Sequence, residues 1–160
     1  ICESPVHFFQ FLKSAPILHN NKCKLTYRNY VIYLLKERVN MIFAAALNKA
    51  NVIVPIVEGE ILRIFNGQTN EYEDFFNPAQ QLTAGRRGAA LTVAEHKGVT
   101  AFVSPPETFC ELSYDKARHI GIRFVPIASG VTFDEFLEQL KNNKLKLTSD
   151  LPSDEIVPSN

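Results

Sequence analysis

The stretch Val99–Leu147, VTAFVSPPETFCELSYDKARHIGIRFVPIASGVTFDEFLEQLKNNKLKL, decides the fold. Its apolar period changes in the order strand, helix, strand, helix. Val99–Val103 and Ile122–Ile127 are short β-branched and aromatic runs, each ending at a turn signal. Pro106–His119 and Phe133–Asn142 instead carry apolar residues at helical spacing. Two strands joined by a helix pair in parallel through a right-handed crossover, which lays the helix on the sheet. The expectation is an α/β fold: a three-layer open sheet with a βαβα carboxyl-terminal half, its parallel strands at about 99–103 and 122–127 lying centrally.

Upstream of this stretch, Val52–Val57 and Ile61–Phe65 flank the turn Glu58-Gly59-Glu60 and read as an antiparallel hairpin at about 52–65. Pro55 has no amide to give a ladder, so its strand is expected at an edge. Thr26–Ala50 is the longest helical candidate, firmest from Tyr33, with Val39, Ile42, Phe43, Ala46 and Leu47 on one apolar stripe. Residues 68–80 are acidic around Phe75-Phe76 and read as a loop. Asn77 then caps a helix opened by Pro78, interrupted at Gly85 and Gly88, resumed through Ala89–Ala94 and stopped at Gly98. The domain reading is an arm at 1–22 that docks through Phe8, Phe9 and Phe11, a single α/β domain at 23–147, and a flexible acidic, Pro- and Ser-rich tail at 148–160.

At 160 residues the chain suits one domain with a core of its own, and 46% hydrophobic with 21% charged residues is ordinary for a globular protein. The formal net charge is zero, so no long-range field draws the molecule to nucleic acid or anionic lipid, and nucleic acid would need a local patch. The three cysteines, Cys2, Cys23 and Cys110, have no CxxC spacing, which excludes the common zinc patterns and a disulfide framework. They favour a reducing, intracellular setting. No apolar run approaches the roughly 20 residues that span a bilayer, so no membrane span is expected. The first residue is Ile1 rather than Met, which reads as a fragment or a processed product.

In open α/β sheets ligands sit at the carboxyl ends of the parallel strands, and Ser104 and Ser129 stand there. Ser104 with Glu107, and Thr132 with Glu135, match a capping box, whose ordinary role is to satisfy the first amides of a helix. Gly85-Arg86-Arg87-Gly88 is the only paired-arginine element, and two guanidinium groups beside flexible glycines suit a phosphate or a phosphorylated partner. Its plain reading is a solvated turn, towards the amino-terminal edge of the sheet, whose loss leaves stability nearly unchanged. Glu95-His96-Lys97 with Asp74 upstream has the acid-and-lysine content of an Mg²⁺-dependent nuclease site, but Gly98 follows at once and the triplet fits a helix end better. His7, His19, His96 and His119 form no ligand pair at helical spacing. Cys110 reads as a buried thiol on the crossover helix.

Gly98–Leu145, with Val99-Thr100-Ala101-Phe102-Val103, Lys116-Ala117 and Gly121-Ile122-Arg123-Phe124-Val125, is loosely similar to the second half of BRCT-type phosphopeptide modules, though their Thr-His pair is Thr100-Ala101 here and their tryptophan is absent. The same stretch is loosely similar to the tail of Mrr-type nucleases, without their upstream motif. Both likenesses share general α/β grammar and assign no family. The functional expectation is a non-catalytic binding or assembly domain for an anionic or phosphorylated partner, meeting another protein or the rest of a larger chain. Arg86, Arg87, Ser104 and Ser129 are its binding candidates, and it needs no cofactor. The alternative is a small α/β enzyme of the metal-dependent nuclease kind, using Asp74, Glu95 and Lys97.

Overall fold

The computed structural model describes residues 41–159. The expected arm at 1–22 and most of the long helical candidate lie outside them. The described strands are β1 (Ile42–Leu47), β2 (Ile61–Asn66), β3 (Tyr72–Phe76), β4 (Ala101–Ser104) and β5 (Arg123–Pro126). The described α-helices are α1 (Arg86–His96), α2 (Glu111–His119) and α3 (Phe133–Lys141). The five strands form one open sheet in the order β3-β2-β1-β4-β5, with β1, β4 and β5 mutually parallel and β2 antiparallel to its neighbours. The α/β class and the parallel βαβα half are as the sequence predicts.

Two strands required correction. Ile42–Leu47 carries Ala44-Ala45-Ala46, favourable for a helix, yet it is the middle strand. A strand covered on both faces reads as a continuous apolar run, which periodicity cannot separate from a buried helix. Here Ala44 joins the core under α1 and α2, while Ala45 joins the core under α3. Alanine also lets the chain come close: a Cβ on Gly59 would stand 2.8 Å from the Ala46 Cβ. The predicted hairpin at 52–65 is therefore wrong in its first strand. β2 takes β1 as partner, Leu47 facing Ile61 and Ile42 facing Asn66, and β3 as its other. Val52–Val57 is a connection that touches β1 through one bridge, Leu47 to Ile53, and turns where the Pro55 carbonyl accepts from Glu58 and Gly59. The acidic segment read as a loop is the edge strand β3, and charges along an edge discourage unwanted pairing.

The helices sit on two faces. Ala90, Leu91 and Ala94 of α1 and Ala117 of α2 pack on one core, with Phe102, Phe109 and Phe124 in edge-to-face contact. Phe133 and Phe136 of α3 pack on the other with Phe43 and Phe65. The capping box Thr132/Glu135 forms as predicted: the Thr132 amide and hydroxyl donate to Glu135 at 2.8 and 2.9 Å, which holds that exposed carboxyl below the usual range. The box Ser104/Glu107 does not form. Pro105 and Pro106 lead into Glu107 at φ +68°, the Thr108 hydroxyl donates back to the Pro105 carbonyl, and α2 begins only at Glu111. Gly88 lies inside α1 and does not interrupt it, and the predicted stop at Gly98 is met with φ +71°.

The segment read as a flexible tail is a strap laid on the body. Thr148 and Phe124 exchange amide bonds of 2.8 Å, so the strap covers the outer edge of β5. Leu151 is buried, and Val157 bonds across to Phe109 and Glu111. β5 is thus an edge strand of the sheet rather than a central one, its outer side met by the bridge from Phe124 to Thr148. Among the described residues no helix is long and apolar enough to cross a membrane.

Candidate functional site

A helix that precedes a parallel strand runs back against it, so the first turn of α1 lies over the carboxyl end of β4. The paired arginines were expected at the amino-terminal edge, and this antiparallel return places them at the opposite one. There the chain leaves β1 towards β2 on one side, and leaves β4 towards β5 on the other. In an open α/β sheet that divergence opens a crevice at the strand ends. A cavity of about 430 Å³ occupies this end, lined by Arg86, Arg87, Cys110, Ser113, Lys116 and Ser159 among others.

The three cations are held by neutral partners. Arg86 Nε donates to the Ala79 carbonyl and Nη2 to the Val57 carbonyl, at 2.6 and 2.8 Å. Arg87 Nε and Nη2 donate to the Thr108 and Glu107 carbonyls at 3.1 and 3.2 Å. Lys116 Nζ donates to the Gly88 carbonyl at 3.1 Å and the Thr92 hydroxyl at 2.7 Å. Among the described residues the ion pairs lie elsewhere, and no acidic side chain lines the cavity. The side chains are therefore fixed in place while their charge stays uncompensated. The arginines also staple α1 to the two loops, against the solvated-turn reading: losing Arg87 frees the Thr108 and Glu107 carbonyls, and losing Arg86 frees the Ala79 carbonyl while the Val57 carbonyl keeps Gln80 Nε2, so replacing them is expected to cost stability.

The backbone adds to the positive field. Gly85 takes φ +66° as the N-cap of α1, offers no side chain to its free amides, and is followed by a first turn without acids. That is the configuration in which a helix start favours an anion. On the facing wall Cys110 and Ser113 form the reciprocal pair that opens α2, with the Cys110 amide donating to Ser113 Oγ at 2.9 Å. Burial raises the Cys110 thiol pKa, but the Ser113 hydroxyl and amide, the Ser159 hydroxyl and the nearby Arg87 outweigh it and hold the thiol below its ordinary value.

The other candidates are dispersed. Ser104 is buried, and Ser129 is exposed on a separate groove of about 340 Å³ beside Glu135 and Glu138. Asp74, Glu95 and Lys97 are not brought together. Asp74 accepts from Arg63 Nε and Nη2, both at 2.7 Å, on the face under α3, and its neighbour Glu73 points to the opposite face, where Lys97 reaches it at 3.4 Å over the Phe75 ring. Glu95 is exposed near the end of α1. Among the described residues no group of three His, Cys, Asp or Glu side chains is placed to hold a metal ion. Cys110, Ser113 and Lys116, which also line this cavity, were not among the sequence candidates, although their three-residue spacing marks one face of a helix.

No protein-family model matches the chain, and no curated protein sequence does. The fold is found in solved structures. The apo form of the orange protein from Desulfovibrio gigas matches with a TM-score of 0.59 at 13% identity, over 68% of this chain and 93% of that one. A candidate NifB protein of the DUF35 family from Thermotoga matches at 0.55 and 12%, over 70% and 97%. A candidate dinitrogenase from Methanocaldococcus jannaschii matches at 0.52 and 14%, over 71% and 99%. These likenesses establish a shared small α/β fold.

Proposed function

We propose that the chain is a binding or assembly domain that takes an anionic group of its partner, a phosphoryl group by preference, into the crevice at the start of α1. One observation carries this reading: Arg86, Arg87 and Lys116 converge on one cavity, each held by neutral oxygens and none neutralised by a carboxylate. Guanidinium groups fork onto phosphate oxygens, and prepositioned side chains lose little freedom on binding. The zero net charge confines attraction to this spot, which suits a phosphorylated segment of another protein better than extended nucleic acid. The part-buried free thiol of Cys110 is compatible with a reducing compartment.

The test is calorimetric titration of the full chain with inorganic pyrophosphate and with a phosphoserine peptide, at about 50 and 200 mM salt, where screening differs by a factor of about two in length. Wild type is expected to bind, more weakly at the higher salt. Arg87→Gln/Lys116→Gln is expected to lose at least about tenfold in affinity, since charge-assisted bonds contribute about 1.5–3 kcal/mol each. Absence of wild-type binding, or equal binding by the variant, overturns the reading.

A further inference from the structure

We propose that Cys110 is the reactive thiol of this crevice and captures anionic disulfides by thiol–disulfide exchange. The inference rests on the anion-binding reading and adds a covalent chemistry to it. Cys110 shares the cavity wall with Arg86, Arg87 and Lys116, and it is a free thiol. Its neighbours are polar: Ser113 Oγ, which donates to the Cys110 carbonyl, lies 3.3 Å from Sγ with either atom able to donate, and the Ser113 amide faces Sγ as the reciprocal half of the cap. Such surroundings stabilise a thiolate, the form that attacks sulfur. A buried structural cysteine has an apolar shell; this one has hydroxyls, an amide and a guanidinium, and an opening of ligand size.

In the exchange the Cys110 thiolate attacks one sulfur of the incoming disulfide. The old S–S bond breaks, a Cys110–S–S–R bond forms, and the other half leaves as a thiolate. Cys110 is oxidised and the departing half is reduced, with no further reagent. The cations lining the cavity select among disulfides by charge: they attract one that carries carboxylates, and they stabilise the departing thiolate.

The experiment uses the full chain with Cys2→Ser and Cys23→Ser, so that Cys110 alone reports. Reaction rates are measured with dithiobis(nitrobenzoate), which carries two carboxylates, and with neutral dithiodipyridine. Each rate is normalised to that of N-acetylcysteine amide at the same pH, with and without inorganic pyrophosphate. The anionic reagent is expected to gain at least about tenfold over the neutral one, as focused fields do for charged ligands. That advantage is expected to vanish in Arg87→Gln/Lys116→Gln, to shrink at about 1 M salt where no substitution is needed, and to fall when pyrophosphate fills the crevice. Equal normalised rates for the two reagents overturn the proposal, as does a thiol that reacts only after unfolding in urea. If pyrophosphate binds by calorimetry while Cys110 is inert, covalent capture fails and the anion site stands. If Cys110 reacts alike with both reagents and pyrophosphate neither binds nor protects, both fail together.

Discussion

Replacing Val125 by Asp is expected to lower the unfolding free energy by more than about 3 kcal/mol, read from urea denaturation, because it buries a carboxylate without a partner. Val125 is 2% exposed and belongs to the core under α3, among Ala101, Val103, Phe133 and Phe136. None of these offers a hydrogen bond. The sequence assigned this position to a central strand, and β5 is in fact outermost in the sheet; the side chain is buried by α3 rather than by flanking strands. Unfolding at the same urea concentration with an unchanged slope would show that α3 does not cover β5.

Asn77→Ala is expected to cost about 1–3 kcal/mol, as the buried Ile56 carbonyl loses its donor and the Gly59 carbonyl is left with Gln80 Nε2 alone. Asn77 is fully buried, and its Nδ2 donates to the carbonyls of Ile56 and Gly59 at 2.7 and 2.8 Å. Its Oδ1 accepts from the Ala79 amide at 3.0 Å, which is the cap that the sequence foretold. The two carbonyls belong to the irregular connection after β1, the same connection whose Val57 carbonyl anchors Arg86. Asn77 is thus a positioning residue for the crevice as well as a cap. The variant is expected to bind pyrophosphate more weakly even where it remains folded. A loss under about 1 kcal/mol, with binding intact, would mean that the connection is held without it.

What was legible in the chain were features set by local chemistry. The alternation from Val99 onward, the Thr132/Glu135 box, Asn77 before Pro78 and the arginine pair between glycines all carry their cause within a few residues. What was not legible depended on partners far along the chain. Ala44-Ala45-Ala46 is a strand because β2, β4 and two helix layers close on it, and a propensity that favours helix is overridden by that pairing. β3 is a strand because β2 offers an edge, against its acidic composition. The strap after Leu147 is polar, which reads as unfolded, but its amides pair with the exposed rims of β5 and the turn before α2. The arginine pair stands out in the sequence, but its place in the fold, at the strand ends opposite to the edge expected, follows from the return of α1 along the sheet. Cys110 was hidden because a thiol between Phe109 and Leu112 looks apolar until Ser113 and Lys116 are seen to share its helix face.

The central claim is that the crevice at the start of α1 is an anion site, and an amide correlation spectrum of the full chain titrated with inorganic pyrophosphate tests it most directly. The account predicts saturable shifts at Gly85–Gly88 and Cys110–Ser113, with the Ser159 amide following, and quiet resonances along Ser129–Lys144. Shifts confined to the Ser129 groove, or none at Gly85–Gly88 at millimolar pyrophosphate, would contradict it.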